Sequence, residues 1–104
     1  MSDEAIENEI NEKGLNAPRV TSESIKAKIV GEDYYVFPNT TVTICLIKLE
    51  NGFSVVGESA AASPDNFNEE LGRKIAYEHA HDKIWALEGY LLREKLSQEK
   101  YNEH

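Results

Sequence analysis

The sequence predicts an α+β fold, with two short N-terminal helices, a small antiparallel sheet that contains a β-hairpin, and one long C-terminal helix. Three observations lead to this prediction. Residues from Thr41 to Leu49 are mostly β-branched or apolar, and Asn51-Gly52, a strong signal for a hairpin turn, follows them. Apolar residues recur at helical spacing from Asn66 to about Leu96. Gly14 and Pro18 separate two shorter helical patterns near the start of the chain.

Length and charge restrict the function. A chain of 104 residues is shorter than an average domain, so we expect a single domain over residues 1–104. Its 11 Lys and Arg against 19 Asp and Glu give a net charge of −8, which disfavours binding to nucleic acid or to a membrane surface. The single cysteine, Cys45, excludes an intrachain disulfide, and the acidic start of the chain does not resemble a signal peptide. These features favour a protein of the reducing cytoplasm.

An acidic helix is expected over residues 1–14. Ile6 and Ile10 are four residues apart and form a thin apolar stripe, and Gly14 is expected to end the helix as a left-handed cap. This helix carries most of the acidic excess. We expect it either to fray or to dock on another subunit.

A second short helix and a first strand follow. Thr21 is the expected N-cap, with Ile25 and Ile29 stacked on one face of the helix and Gly31 at its end. The aromatic and β-branched stretch from Asp33 to Phe37 then predicts a strand.

The hairpin strands are apolar on both faces. With a two-residue turn at Asn51-Gly52, the alternation of side chains assigns each residue to one face. One face then carries Val42, Ile44, Leu46, Phe53 and Val55, and the other carries Thr43, Cys45, Ile47, Leu49, Val56 and Glu58. An antiparallel sheet with one solvated face would instead alternate between apolar and polar residues. Helices on both sides would explain the pattern, as would a second subunit on one side; we expect a second subunit, in a dimer or tetramer.

The long helix is predicted from Asn66 to about Leu96. Asn66 and Glu69 have the spacing of a capping box, and residues 97–104 are expected to form a disordered tail. Gly72 and Gly89 lie inside the helix, where glycine costs about 1 kcal/mol relative to alanine. We therefore expect each of them to mark a close approach by another backbone or by a ligand.

The junction between the hairpin and the long helix, residues 57–67, is the candidate ligand site. Free backbone N–H groups and the positive end of the helix dipole favour an anion there. The side chains of Ser59, Ser63 and Asn66 add neutral donors, and the Glu58 carboxylate can accept a hydrogen bond from a base or a sugar. The combination suits a ligand with both phosphate and polar ring edges. In the alternative interpretation, Ser63 and Asn66 are only turn and cap residues.

Basic and aromatic residues complete this candidate site. Arg19, in the linker, or Arg73, on the first turns of the long helix, would meet phosphate, whereas Lys74 is better explained by a surface ion pair. Tyr34 and Tyr35 point to opposite faces of their strand, so one of them is free to stack on a purine, and Tyr35 is our candidate. The candidate ligand-binding residues are therefore Arg19, Tyr35, Glu58, Ser59, Ser63, Asn66 and Arg73.

The remaining chemistry-bearing residues predict neither a catalytic nor a metal site. His79 and His81 are two residues apart, so they face apart on a helix, and they have too few partners to hold a metal. Cys45 lies in mid-strand without a base and is expected to be a buried apolar residue. Phe53 and Trp85 are expected in the core. No catalytic residue, metal or cofactor is predicted, and an enzyme is the least favoured class.

Three stretches carry a resemblance to a known family: KGLNAPRVT at residues 13–21, NGF running into GESA and SPDNF within residues 51–67, and KIWALEGYLL at residues 83–92. In this order and spacing they resemble a widespread family of small tailed-phage proteins, named after gene products forty-nine and sixty-six of two members. Asn68 stands where that pattern often has Asp. The resemblance implies a phage origin and expression in the host cytoplasm; most of the family has no assigned function.

Small acidic phage proteins of this kind often act by binding. The first hypothesis is non-enzymatic capture of a nucleotide signal of host antiphage immunity, which would inhibit the host defence. The ligand would be a cyclic di- or trinucleotide or a cyclic ADP-ribose isomer. The alternative is an acidic inhibitor or regulator of a host protein that acts through the negatively charged first helix, for example as a mimic of nucleic acid.

Overall fold

The computed structural model describes residues 3–13 and 17–102. The elements follow in the order α1 (Asp3–Glu12), α2 (Ser22–Lys26), β1 (Ile29–Val36), β2 (Val42–Leu49), β3 (Ser54–Ala60), a short 3-10 helix (Pro64–Asn66) and α3 (Glu69–Asn102). The strands form one antiparallel sheet in the order β1-β2-β3. This arrangement confirms the α+β fold, while the expected cap at Gly14 lies outside the described residues.

α2 is shorter than predicted. Its N-cap at Thr21 is confirmed, because the Thr21 hydroxyl accepts from the Ser24 amide and the Ser24 hydroxyl accepts from the Thr21 amide, each at 3.0 Å. The helix ends at Lys26, so its predicted extension to Ile29 and Gly31 is wrong. Ile29 opens β1 instead, since β-branched residues continue from it into the aromatic stretch, and Gly31 lies at an irregularity of the β1–β2 pairing.

The hairpin turn has three residues instead of the predicted two. The Leu49 amide donates to the Phe53 carbonyl at 2.9 Å, and the loop between them ends at Gly52, whose φ of 90° lies in the left-handed region. The Asn51 side chain accepts from the Phe53 amide at 2.9 Å and fixes the turn. The predicted pairing of β2 with β3 is therefore wrong by one residue.

Because of this one-residue shift, each side chain of β3 lies on the opposite face of the sheet from the predicted one. Val55 pairs with Ile47 and is buried at 5% exposure, whereas Val56 pairs with Leu46 on the opposite face and is 43% exposed. Glu58 lies on that opposite face as well. Phe53, expected in the core, is 55% exposed.

α3 covers one face of the sheet, mainly over β2 and β3. The buried core lies between them and consists of Ile25, Cys45, Ile47, Leu49, Val55, Ala76, Ala80 and Ile84. With 34 residues α3 is about 51 Å long, whereas an eight-residue strand spans about 27 Å. The last turns of α3 therefore extend beyond the sheet.

Glycines set the distance between α3 and the sheet. An ideal Cβ on Gly57 would lie 2.1 Å from the Ala76 carbonyl oxygen, so the backbones of β3 and α3 touch there. At Gly72 the close approach is to a side chain, with the Thr43 hydroxyl 3.0 Å from an ideal Cβ. The expected close approach at Gly89 is not found, because no described atom lies within 4 Å of its ideal Cβ.

The other face of the sheet is largely apolar, although it also carries Asp33, Lys48 and Glu58, and we call it the open face. Its apolar residues are Tyr35, Phe37, Val42, Ile44, Leu46 and Val56. Tyr35 and Phe37 contact each other edge to face, with ring centroids 4.8 Å apart. α3 lies on the opposite side, so coverage of the open face by a second subunit stays a prediction.

α3 begins and ends later than predicted. Its N-cap is Asn68, whose side-chain oxygen accepts from the Leu71 amide at 2.9 Å, so the predicted capping box of Asn66 with Glu69 is wrong. Asn66 belongs to the preceding 3-10 helix, and the extended backbone of Phe67 separates the two helices. At the other end, residues 97–102 are helical instead of part of a disordered tail.

Replacement of the cap tests this assignment. Asn68→Ala is expected to lower the free energy of unfolding by about 1 kcal/mol, because the Leu71 amide loses its partner. Asn68→Asp keeps an acceptor beside the positive end of the helix and is expected to be at least as stable as the wild type. Urea denaturation measures both. Equal stability of Asn68→Ala and the wild type would contradict the assignment.

α1 is attached to α2 through Glu7. The Glu7 carboxylate accepts from both the Ser22 amide and the Ser22 hydroxyl, and Arg19 lies 3.9 Å from it. Ile6 and Ile10 face Trp85 of α3 across a groove of about 290 Å³. Within residues 3–13 and 17–102, no helix is long and apolar enough to cross a membrane.

Candidate functional site

A cleft lies between β1 and the first half of α3. Its volume is about 460 Å³, within the range of small-ligand sites. It exists because α3 packs mainly on β2 and β3 and leaves the β1 side open. We call it the β1–α3 cleft, and its lining residues are Glu32, Tyr34, Glu70, Arg73, Lys74, Tyr77 and Glu78.

Local structure brings these residues together. Glu32 and Tyr34 are alternate residues of β1, so both side chains point to the face that carries α3. On α3 the lining residues recur at intervals of three and four, which is the spacing of one helix face. The cleft thus combines two cations, two tyrosines and three carboxylates.

Arg73 is the central cation of the cleft. Its guanidinium carbon lies 5.4 Å from the centroid of the Tyr34 ring, within the range of a cation–π interaction. It also pairs with Glu69 at 3.1 Å, and Lys74 pairs with Glu70 at 3.7 Å. Exposed pairs one helical turn apart are worth less than about 1 kcal/mol, so a phosphate can displace either carboxylate.

Burial keeps the phenols of the cleft neutral. Burial raises the pKa of Tyr34 well above its usual range, and the nearby Cys45 and Glu32 raise it further. Burial also raises the pKa of Tyr77 and that of the Cys45 thiol below the cleft. A phenol with its ordinary pKa of about 10 is already neutral at neutral pH, and the raised pKa keeps Tyr34 neutral in alkali as well, so an anionic ligand can approach its ring.

These shifts predict a loss of stability in alkali. In the unfolded chain the thiol and phenols ionise near their ordinary pKa values, about 9 and 10, while in the fold they stay protonated to higher pH. The unfolded state then releases protons first, so the free energy of unfolding is expected to be constant up to about pH 8 and to decrease above it.

Denaturation with urea across this pH range tests the expectation. Tyr34→Phe is expected to flatten the alkaline decrease, while Tyr35→Phe, which removes an exposed hydroxyl from the open face, is expected to retain it. An identical decrease in Tyr34→Phe and the wild type would contradict the role of Tyr34.

The junction predicted as the ligand site contains a smaller hollow of about 140 Å³, lined in part by Ser59, Asn66 and Gly72. Two hydroxyls of the junction form hydrogen bonds within the chain, one as a donor and one as an acceptor. The Ser59 hydroxyl donates to the Gly72 carbonyl at 2.7 Å, and the Ser63 hydroxyl accepts from the Asp65 amide at 3.3 Å. This volume is below that of ordinary small-ligand pockets, so the hollow is too small for a whole nucleotide.

The other candidate residues lie apart from one another. Glu58 and Tyr35 are on the open face, and Arg19 lies beside Glu7 in the groove near Trp85. Arg73 alone of the candidates lines the β1–α3 cleft. The structure therefore brings Ser59 and Asn66 together in the hollow but does not gather the whole set.

Four residues of the cleft had no place in the predicted site: Glu32, Glu70, Tyr77 and Glu78. Two others were considered and passed over, because Tyr35 was preferred to Tyr34 and Lys74 was assigned to a surface ion pair. A signal was present on the helix, because Arg73 and Tyr77, like Lys74 and Glu78, are four residues apart. The contribution of β1 had no local signal, since it depends on which strands α3 covers.

His79 and His81 serve the fold. The Nδ1 atom of His79 accepts from the Glu58 amide at 3.1 Å, and His81 stacks on Tyr77 with ring centroids 5.7 Å apart. Among residues 3–13 and 17–102, no group of three or more His, Cys, Asp or Glu is placed to hold a metal ion.

Comparison with known proteins gives one family. No curated protein and no solved structure shows significant similarity to the chain. The sequence model of the Phage protein (N4 Gp49/phage Sf6 gene 66) family matches residues 20–96, about three quarters of the chain, which include the whole sheet and the β1–α3 cleft. The chain therefore belongs to the Phage protein (N4 Gp49/phage Sf6 gene 66) family.

Proposed function

We propose that this phage protein is a non-enzymatic binding protein that captures a nucleotide in the β1–α3 cleft. The proposal depends on the position of Arg73, whose guanidinium lies over the Tyr34 ring in a cleft of about 460 Å³. An arginine beside aromatic rings suits a ligand with both a phosphate and a flat base.

The two cations define the phosphate end of the cleft. Arg73 can bind a phosphate through two parallel N–H donors, and Lys74 can add a point charge one residue further along α3. The net charge of −8 opposes an anion at long range. However, physiological salt screens charges more than about 8 Å away, so the contacts inside the cleft decide the affinity.

The carboxylates restrict where the rest of the ligand lies. Glu32 and Glu78 would repel a phosphate, but each accepts hydrogen bonds from N–H and O–H groups. A base or ribose therefore suits their side of the cleft. Tyr77 lies on α3 between the two cations and Glu78, and it offers a second aromatic surface.

The biological proposal is that the phage uses this capture to remove an antiphage signal in the host cytoplasm. The candidate signals are cyclic di- and trinucleotides and cyclic ADP-ribose isomers. Effective removal requires an affinity in the nanomolar range, about −12 kcal/mol.

A thermal-shift screen of the purified protein against these three ligand classes tests the proposal. A ligand at a thousandfold excess over its Kd stabilises the fold by about 4 kcal/mol, so a clear rise in Tm is expected for one class. The ligand should be recovered unchanged after denaturation. Recovery of a cleaved product would contradict a binding-only role, and the absence of any shift across the panel would contradict nucleotide capture.

A second candidate function rests on the open face. Tyr35, Phe37 and Val56 are exposed there, and the Glu58 carboxylate lies on the same face, while the Asp33 carboxylate pairs with Lys48 at 2.7 Å. An apolar patch with a carboxylate beside it fits inhibition of a basic host protein. Loss of inhibition on Val56→Asp, with the cleft variants still inhibitory, would favour this function over nucleotide capture.

A further inference from the structure

The two edges of the sheet differ. Along β3, which forms one edge, two side chains of α3 form hydrogen bonds to backbone groups that point outward, away from β2. His79 accepts from the Glu58 amide at 3.1 Å, and the Lys83 ammonium donates to the Val56 carbonyl at 2.6 Å. Covering an edge in this way prevents it from pairing with another strand.

β1 forms the opposite edge. The Phe37 amide donates to the Val42 carbonyl at 3.2 Å, so Phe37 and every second residue before it form the backbone hydrogen bonds to β2. The residues between them are Glu32, Tyr34 and Val36, and their backbone N–H and C=O groups therefore point away from β2. They point to the side of the sheet that α3 leaves open, next to the β1–α3 cleft.

We propose that a second copy of this chain pairs with this edge, β1 against β1 in antiparallel order, and that the resulting dimer forms one shared ligand groove. Paired strands would extend the sheet from three strands to six. All outward groups of Glu32, Tyr34 and Val36 would gain partners, while the covered β3 edges would end the assembly at two copies.

The charges on β1 exclude two registers of this pairing. A twofold axis at Glu32 or at Asp33 would place two like charges directly opposite each other, which is destabilising. An axis at Tyr34 instead places Glu32 opposite Val36 and Asp33 opposite Tyr35. This register uses the regular part of β1, beyond the irregularity near Gly31.

The dimer would close the open side of the cleft. With α3 lying over β2 and β3 and a strand spacing of about 4.8 Å, the two α3 axes would be about 19 Å apart. Helices about 10 Å wide leave roughly 9 Å between them, which fits a flat base with its sugar. The floor of this groove would carry Tyr34 from both copies, and its walls would carry Arg73 from both.

The symmetry of this groove indicates the class of ligand. This step rests on the proposed function and deepens it. A groove with one Arg73 and one Tyr34 from each copy matches a molecule with two phosphates and two bases related by a twofold axis. A cyclic dinucleotide has this chemistry, and the expected stoichiometry is one ligand for two chains.

The oligomeric state tests the pairing. Sedimentation equilibrium is expected to give about twice the chain mass of 11.7 kDa. Val36→Pro removes an outward N–H that β2 does not use, so it should yield folded monomers with an unchanged circular dichroism spectrum. The matched control Ser54→Pro makes the same change on the β3 edge and should stay dimeric. A monomeric wild type into the high micromolar range, or dimeric Val36→Pro, would overturn the proposal.

A pair of cysteines tests the register independently of proline. The double variant Asp33→Cys/Tyr35→Cys should form covalent dimers on mild oxidation, because these positions would face each other across the axis. Asp33→Cys alone should not, since its counterpart would lie two residues away. Covalent dimers from the single variant and not from the double one would overturn the register.

Calorimetric titration with cyclic di-AMP, cyclic di-GMP and cyclic GMP-AMP separates this inference from the proposed function. Binding of one of them at one per two wild-type chains, weakened at least tenfold in Val36→Pro, is the expected result. Binding at one per chain with unchanged affinity in Val36→Pro would overturn the shared groove and leave nucleotide capture standing. A dimer that binds none of the three would overturn the ligand class and leave the pairing standing.

Discussion

Gly57→Ala is expected to destabilise the fold by more than about 3 kcal/mol, a large part of the 5–15 kcal/mol available to a domain of this size. The new Cβ would lie 2.1 Å from the Ala76 carbonyl oxygen and 2.3 Å from the Ala80 nitrogen. Both atoms belong to the backbone of α3, so no side chain can rotate away. The helix would have to move off the sheet, and the contacts of Ile84 and Ala80 with the core would loosen.

Gly89→Ala is the matched control for this prediction. Gly89 lies in the same helix, but no described atom is within 4 Å of its ideal Cβ. The substitution should therefore stabilise α3 by up to about 1 kcal/mol through helix propensity alone. Urea denaturation of both variants measures the difference. A Gly57→Ala variant as stable as the wild type would contradict the backbone contact between β3 and α3.

Arg73→Ala is expected to weaken nucleotide binding by about 10- to 100-fold. A hydrogen bond to a charged group contributes about 1.5–3 kcal/mol, which corresponds to that range of affinity. The substitution removes the phosphate donor and the cation over Tyr34, while its exposed pair with Glu69 adds little to stability. The free energy of unfolding should therefore change by less than about 1 kcal/mol.

Arg93→Ala controls for the loss of one positive charge. Arg93 is exposed on the same helix, 20 residues after Arg73 and beyond the core. Its removal should leave the affinity within about twofold, because salt screens a charge at that distance. Calorimetric titration with the ligand found by thermal shift compares the two. Equal losses in both variants would indicate nonspecific attraction and would contradict a phosphate contact at Arg73.

The elements of the fold were predictable where the signal is local. Thr21 as a cap and Asn51-Gly52 as a turn depend on a few neighbouring residues, and both are found. The register of the hairpin was not predictable from the dipeptide, because two- and three-residue loops both use Asn and Gly. The difference of one residue in loop length determines that Val55, and not Val56, is buried in the core.

The site was less predictable than the fold. Arg73 could be singled out because basic residues are few near the start of α3. The partner of Arg73 is Tyr34, on a strand about forty residues earlier, and their contact depends on α3 leaving β1 uncovered. Tertiary packing of this kind has no signature in residue spacing. The junction, by contrast, was predicted from local features, and there the Ser63 hydroxyl serves a local turn while the Ser59 hydroxyl bonds to α3.

Amide chemical shifts of the isotope-labelled protein, titrated with the tightest-binding nucleotide of the screen, give the most direct test of the binding site. The largest shifts are expected on Glu32, Tyr34, Arg73 and Tyr77, which surround the β1–α3 cleft. Largest shifts at Ser59 and Asn66, or on the open face at Tyr35 and Val56, would place the ligand elsewhere and contradict this expectation.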